Sequence, residues 1–246
     1  MFTKKITAAN IPALSPTHAP TNTPTNPVTL NTFSNPYSLV LGTSGSTKIL
    51  YFTDLYNDRI IACSGLSNLI SEGYEECFVY AYSYLHNSVT TKFDEVRGLA
   101  LDGNYLYICD TTNRRIVVCT GIATSPTSPC QTYSSGYATG RAFGAPYGTA
   151  RSLGYLYFAD WTNNTVGYCV GDTTGNCYTY TNTAAGTTFQ RPSGIGITEV
   201  TFEIFISDAT NNRIVYIKAF TPNPTVAPRY DILFASILIS NVYLNI

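Results

Sequence analysis

The chain has 246 residues and carries 14 Lys and Arg against 15 Asp and Glu, so its formal net charge is −1. This balance excludes a global attraction to nucleic acid or to acidic membranes, which needs a basic surplus. The chain also contains 20 Tyr, 12 Phe, 18 Gly and 13 Pro, whereas only 12% of its residues are charged. Such usage favours strands and turns, and at this length an all-β chain buries its core as one domain.

Residues 1–27 form a Thr/Pro/Asn-rich segment that differs in composition from the rest of the chain. We expect it to be disordered, because such a composition buries too little apolar surface to offset the entropy of ordering. Thr/Pro tracts are also typical of O-glycosylated extracellular stalks. The basic start at Lys4 and Lys5 precedes no apolar stretch, so no signal peptide is recognised. Residues 28–246 are predicted to be the folded domain.

One pattern recurs four times in this domain, over about residues 33–80, 93–133, 143–180 and 189–218. Each copy opens on a Phe-x-x-Pro-x-Gly element, or a variant of it, and continues with two apolar runs joined by Asp-x-x-Asn-x-Arg. The repeated aspartates stand 56, 50 and 48 residues apart. A period of roughly 40–50 residues indicates a propeller or an array, because a single repeat cannot bury its apolar face alone.

Each copy is predicted to hold three or four short strands. Pro cannot donate to a ladder, so the Phe-x-x-Pro-x-Gly element leads into the first strand. The first strands are predicted at 39–41, 99–101, 149–151 and 195–197. The second strand ends at the repeated Asp, and the third follows the Asn-x-Arg. In three copies a fourth strand follows a variable loop, and four antiparallel strands make one propeller blade.

The Asp-x-x-Asn-x-Arg turns are interpreted as structural. Asp and Asn side chains bond nearby turn backbone, and the aspartates are expected to pair with the arginines. A ring of carboxylates that binds a cation is the alternative, which repetition in every copy disfavours. Asn163 also begins a glycosylation sequon, which its place in the repeat turn explains equally well. The turn residues are Asp54, Asn57, Arg59, Asp110, Asn113, Arg115, Asp160, Asn163, Asp208, Asn211 and Arg213.

Together, the Pro-x-Gly entrance, the apolar strand that ends in Asp, and the Asn-x-Arg that follows resemble NHL repeats over about residues 33–218. The resemblance implies an all-β chain folded as a β-propeller of four-stranded blades. Three positions depart from the pattern: Ser38 replaces Gly, Val96 replaces Pro, and Thr165 replaces Arg. NHL propellers commonly have six blades and four are legible here. A smaller ring, a ring with degenerate blades and a fragment of a longer chain therefore all stay open.

Residues 219–246 form a divergent tail that ends in an uncharged, mostly apolar run at 232–246. That run is shorter than the roughly 20 residues that span a bilayer, so no transmembrane span is predicted. We expect a buried strand pair there, with membrane-surface anchoring as the alternative. The missing outer strand of the last blade is expected from residues 28–30 or from the tail, unless the tail begins a fifth blade.

Six of the seven cysteines occupy the same two places in three repeats, at the end of the third strand and the start of the fourth. Adjacent antiparallel strand ends bring Cα atoms to about 4.5–5.5 Å, which is within disulfide reach. Three disulfides imply an oxidising compartment, which places the chain outside the cell or at its surface. The predicted pairs are Cys63–Cys77, Cys119–Cys130 and Cys169–Cys177.

No residue set in the sequence points to catalysis, to a cofactor or to a metal. Zinc ligands converge as close pairs, whereas the paired cysteines lie on separate repeats; free thiols are the remaining alternative. His18 and His86 lie outside the repeat pattern, His18 in the N-terminal segment and His86 in an expected surface loop. Cys109 aligns with small residues at the ends of the other second strands, so we expect a packed core thiol.

Loops on a rigid scaffold carry function, and exposed Tyr is favoured in interfaces. We therefore predict a non-enzymatic scaffold that binds a protein or glycan ligand outside the cell. The alternative is a metal-dependent lyase or hydrolase of the NHL/lactonase-like group. Some NHL propellers bind RNA on a basic face, which the charge balance disfavours here. The expected contact residues, at equivalent places beside the blade entrances, are Tyr37, Arg97, Tyr147 and Arg191.

Overall fold

The computed structural model describes residues 33–44, 47–64, 76–86, 89–120, 130–133, 142–170, 177–179, 188–198 and 203–217. The predicted disordered segment, the candidate closing strand at 28–30 and the tail at 219–246 lie outside the described residues. Apart from two short 3₁₀ turns, at Leu55–Asn57 and Ala209–Asn211, each described regular element is a strand, so the all-β prediction is confirmed. Within the described ranges, no helix is long and apolar enough to cross a membrane.

The described strands form four antiparallel blade sheets, one for each repeat, and a separate two-stranded hairpin; strands pair in chain order within each sheet. Blade one holds β1 (Pro36–Ser44), β2 (Thr47–Asp54), β3 (Arg59–Ser64) and β4 (Glu76–Ala81). A hairpin follows, with β5 (Ser83–His86) and β6 (Val89–Lys92). Blade two holds β7 (Val96–Asp102), β8 (Tyr105–Asp110), β9 (Arg115–Thr120) and β10 (Gln131–Tyr133). Blade three holds β11 (Pro146–Ser152), β12 (Tyr155–Asp160), β13 (Thr165–Val170) and β14 (Cys177–Thr179). Blade four holds β15 (Pro192–Ile197), β16 (Ile204–Asp208) and β17 (Arg213–Ile217).

The first strand of each blade begins earlier than predicted, at the Pro or Val of the entrance element. Pro36 already lies opposite the end of β2, and a bulge then shifts the register; the other three blades have the same irregularity. A small polar side chain at the end of the second strand holds this bulge in two blades. Thr53 Oγ1 accepts a hydrogen bond from Ser38 N at 3.0 Å, and Ser207 Oγ accepts one from Gly194 N at 2.7 Å.

The hairpin between blades one and two was not predicted, and it corrects the expected surface loop at His86. His86 ends β5, where its backbone pairs with Val89. The hairpin is tied to blade two, because Cys130 N donates to Leu85 O at 2.9 Å. Its residues lie outside the repeat pattern recognised in the sequence, so self-similarity gave no signal for it.

The blades pack face to face through their first strands, with β1 against β7, β7 against β11, and β11 against β15. A hydrophobic cluster fills each of the three boundaries between neighbouring blades. In the cluster between blades two and three, the rings of Phe143 and Phe158 meet edge to face with centroids 5.0 Å apart. The core is therefore divided among the blade boundaries, as expected for a repeat whose single copy cannot bury its own faces.

All three predicted disulfides are confirmed, and each joins the third strand of a blade to its fourth strand. The bonded pairs are Cys63–Cys77, Cys119–Cys130 and Cys169–Cys177. Cys109 is a buried free thiol, and burial raises its pKa well above the ordinary range. A thiol held protonated in this way is a poor nucleophile.

The entrance element requires glycine because the first strands of neighbouring blades approach each other closely at this position. A Cβ added at Gly98 would lie 2.6 Å from Tyr147 O, and one added at Gly148 would lie 2.5 Å from Ser193 O. Blade one has Ser38 at this place, and its Oγ accepts a hydrogen bond from Leu99 N at 3.1 Å. The departure from Gly in blade one is thus accommodated by a hydrogen bond to blade two.

Replacing Gly148 by Ala is expected to lower the free energy of unfolding by about 1–3 kcal/mol, because the added methyl group would force blades three and four apart. Denaturant unfolding followed by circular dichroism measures this change. Gly196→Ala is the matched control, since a Cβ at Gly196 meets no atom within 4 Å and φ there is not positive. Equal stability of the two variants would contradict the packing argument.

Candidate functional site

The four repeat aspartates are fully buried and join each turn to the entrance of its blade. In blade two, Asp110 accepts hydrogen bonds from Asp94 N at 2.9 Å, Asn113 Nδ2 at 3.0 Å and Arg115 Nε at 2.8 Å. Burial raises the pKa of the Asp110 carboxyl, and these three donors oppose that effect. The corresponding donors surround the aspartates of blades one and four.

In blade three, the buried aspartate is hydrogen-bonded without an arginine. Thr165 stands in its place, and Asp160 accepts hydrogen bonds from Gly144 N and Ala145 N at 2.9 and 3.0 Å. Asn163 Nδ2 also donates to Asp160, at 2.8 Å, so the amide of the glycosylation sequon is engaged within the turn. Because the protein's own donors occupy these carboxylates, we retain the structural interpretation of the turns over the cation-binding one.

Three of the four predicted contact residues occupy one place in the repeat. Tyr37, Arg97 and Tyr147 each follow the entrance residue on β1, β7 and β11. The equivalent residue of blade four is Ser193, and Arg191 lies two positions earlier in a left-handed conformation, with φ of 52°. The expectation that Arg191 is equivalent to the other three was therefore wrong in register, because the Pro of the entrance fixes the alignment.

The structure nevertheless brings all four predicted residues together, in a stack that also contains Trp161. The Arg97 guanidinium carbon lies 5.3 Å from the ring centroid of Tyr37 and 4.2 Å from that of Tyr147. Tyr147 stacks on Trp161 with centroids 4.5 Å apart and planes 11° apart. The Arg191 guanidinium carbon lies 5.5 Å from the Trp161 ring. We call these five side chains, which come from all four blades, the aromatic–arginine ladder.

The ladder is partly open to solvent, and an ion pair orients Arg97 within it. Tyr37 is 43% exposed and Arg191 is exposed, whereas Tyr147 and Trp161 are half-buried. Arg97 is largely buried and donates from Nη2 to Glu95 Oε2 at 3.0 Å. Burial raises the pKa of the Tyr37 phenol, and Arg97 opposes the rise, so the phenol stays neutral at physiological pH. Each guanidinium–ring contact contributes about 0.5–1 kcal/mol at such sites.

Trp161 is the functional candidate that the sequence analysis missed. It directly follows the repeat aspartate of blade three, and the equivalent residues of the other blades are Leu55, Thr111 and Ala209. Leu55 is buried, so blade one uses this position for packing. Thr111 Oγ1 donates to Pro146 O at 2.7 Å, so blade two uses it for a hydrogen bond to blade three. The available signal was that the chain's single Trp stands at a place that other repeats fill with smaller residues.

A cavity of about 580 Å³ lies on the axis around which the first strands are arranged. We call it the axial cavity; residues of β1, β7, β11 and β15 line it, together with Ser207. Tyr37 and Tyr147 belong both to this lining and to the ladder, so the ladder stands at one mouth of the cavity. Arg151, near the other end of β11, is the charged residue of the described lining.

Histidine, cysteine and carboxylate side chains are missing from the described lining of the axial cavity. Across the part of the chain that the structure describes, no three His, Cys, Asp or Glu side chains are grouped to hold a metal ion. The site therefore offers aromatic rings, guanidinium groups, hydroxyls and strand backbone. Those groups bind ligands by stacking and hydrogen bonding.

The architecture has clear counterparts among solved structures, although the sequence matches no protein-family model and no curated protein. A protein described as a gluconolactonase superposes with a TM-score of 0.56 at 15% identity over 82% of this chain. An inactive variant of virginiamycin B lyase from Staphylococcus aureus, solved with quinupristin, gives 0.54 at 18% identity over 89%. A protein described as a 6-phosphogluconolactonase from Bacteroides uniformis gives 0.53 at 14% identity over 81%. The fold is a β-propeller.

This propeller chain spans 64%, 59% and 54% of the lengths of those three proteins. At such low identity a structural likeness shows the fold alone, because one scaffold hosts many unrelated functions. The activities in the names of the three proteins therefore belong to those proteins.

Proposed function

We propose that the chain is an NHL-type propeller that acts outside the cell as a non-enzymatic scaffold for a protein or glycan ligand. The observation that carries the proposal is the aromatic–arginine ladder, in which side chains from four blades meet at one mouth of the axial cavity. Assignment to the NHL type is supported by four co-registered turns in which Asp is bonded to the blade entrance.

The ladder has the composition and rigidity of a contact surface. Tyr, Trp and Arg are the residues that most often dominate binding energy in interfaces. Stacking fixes the side chains of Arg97, Tyr147 and Trp161 before a ligand arrives, so less conformational entropy is lost on binding. The three disulfides support an extracellular setting, because such bonds persist in oxidising compartments.

A lyase or hydrolase is the competing function. General acid–base or metal-assisted chemistry on such a scaffold needs His or carboxylate side chains aimed at the bound substrate. The described lining of the axial cavity supplies hydroxyls and Arg151, and Arg151 is already bonded to Asp102 at 3.0 Å. These contacts favour recognition over turnover.

A screen of purified secreted proteins and immobilised glycans tests this function. We expect a ligand of the wild-type chain to lose affinity in the Arg97→Ala variant, by at least about 1–2 kcal/mol, as for a residue at the centre of an interface. Arg114→Ala is the matched control, since Arg114 is exposed in a blade-two turn and does not belong to the ladder. Unaltered ligand affinity in folded Arg97→Ala protein, or turnover of a lactone by the wild-type chain, would contradict the proposal.

A further inference from the structure

The axial cavity is surrounded by strand edges that pair on one side only. Within the described sheets, β1, β7, β11 and β15 each stand at the end of their sheet. An edge strand presents backbone N–H and C=O groups that its own sheet does not use. Some of these groups are taken by side chains of a neighbouring blade, as where Thr53 Oγ1 donates to Arg97 O at 2.9 Å. The backbone groups of these edges are uncharged, and they come to the cavity from four blades.

The cavity offers no unpaired charge to a ligand. Arg151 is the charged residue of the described lining, its side chain is 3% exposed, and its Nε donates to Asp102 Oδ2. Its guanidinium carbon also lies 5.3 Å from the ring of Tyr107. A charged ligand in this space would lose hydration without gaining a partner of opposite charge, which is costly. The cavity therefore selects uncharged molecules.

Apolar surface is also available to a ligand, beside the hydrogen-bonding edges. Tyr37 lines the cavity with 43% of its surface exposed, and the half-buried Tyr147 also lines it. The lining hydroxyls of Ser193 and Ser207 bond each other at 3.0 Å, so they do not demand a ligand partner. A suitable ligand combines C–H faces for these side chains with hydroxyls for the strand edges.

We propose that the axial cavity binds an uncharged sugar ring, the end of a glycan that enters past the aromatic–arginine ladder. This inference rests on the proposed function and specifies its ligand class. A neutral sugar carries hydroxyls that both donate and accept in several directions, and its C–H faces pack on aromatic rings. The volume of about 580 Å³ lies within the range of roughly 300–1,000 Å³ for small-ligand sites.

An uncharged extended peptide also offers hydrogen-bond donors and acceptors, those of its backbone. A peptide strand pairs along one sheet edge in a single plane. Here four edges from four blades converge on one space, so the donors and acceptors approach from several sides. That arrangement suits a compact ring better than a strand.

The test is titration of the wild-type chain with neutral monosaccharides and disaccharides, followed by calorimetry and by tryptophan fluorescence. Trp161 is the single Trp of the chain and stacks on Tyr147, which lines the cavity, so its emission reports occupancy. Tyr37→Ala removes an aromatic ring of the cavity lining that is 43% exposed. Tyr178→Ala is the matched control, since Tyr178 is 41% exposed and lies outside the described lining.

We expect a neutral sugar to bind the wild-type chain and the Tyr178→Ala variant, with loss of binding in Tyr37→Ala protein whose circular dichroism is native. Failure of every neutral sugar to bind overturns the inference. If a protein or an acidic glycan then binds in an Arg97-dependent way, the proposed function stands although the sugar inference has failed. Binding of an extended peptide that Tyr37→Ala abolishes also overturns the sugar assignment.

Discussion

Reduction of the three disulfides is expected to unfold the chain, or to lower its melting temperature by more than any single substitution that leaves the disulfides intact. The bonds close loops with sequence separations of 14, 11 and 8 residues. In the loop-entropy account each contributes about 2–3 kcal/mol, and together they match the net stability of roughly 5–15 kcal/mol that is usual for a domain. Thermal unfolding with and without reductant measures the effect.

Controls separate the disulfides from other consequences of cysteine loss. Removing both partners at 63 and 77 is expected to cost about one third of the full effect, since the three bonds lie in different blades and separated sites add. Cys109→Ala leaves every disulfide intact and is expected to cost only what a small buried side chain contributes. An unchanged melting temperature after complete labelling of the reduced thiols would show that the bonds do not support the fold.

Replacing Arg59 by Ala is expected to lower the free energy of unfolding by about 3–5 kcal/mol, because it leaves a buried carboxylate without its cation. Arg59 Nε donates to Asp54 Oδ2 at 2.7 Å, and both side chains are almost fully buried. Chemical denaturation of the purified variant gives the value directly.

The matched variant for Arg59 is Arg213→Ala in blade four. Arg213 makes the same bond to Asp208 at 2.7 Å, but its side chain is 20% exposed, so water can replace part of what is lost. We expect a smaller cost there, of about 1.5–3 kcal/mol, as for a hydrogen bond to a charged group. A larger cost for Arg213 than for Arg59 would contradict the role assigned to burial.

Features that repeat were predictable from the sequence, because each copy reinforced the others. The disulfides followed from Cys63 and Cys77 taking the same strand ends as their counterparts in two other repeats. Features present once were not predictable in this way. The β5–β6 hairpin lies outside the recognised repeat pattern, and its residues lack an extended alternation of polar and apolar side chains.

The candidate site was predictable only in part, for a related reason. Tyr37, Arg97 and Tyr147 share a place in the repeat, so their convergence followed from the symmetry of the blades. Trp161 joins them from a different position in the repeat, the turn after the repeat aspartate. At that position Leu55 is buried, and Thr111 is hydrogen-bonded to blade three. Arg191 reaches the ladder through Trp161, from an entrance position that the pattern alone does not direct there.

The most direct measurement of the central claim is hydrogen–deuterium exchange of the chain with and without a ligand identified in the binding screen. If the aromatic–arginine ladder is the contact surface, slowed exchange will be confined to the starts of β1, β7 and β11 and to the turn at Trp161. Slowed exchange confined to the outer strands β4, β10 and β14, with the ladder segments unchanged, would contradict the claim.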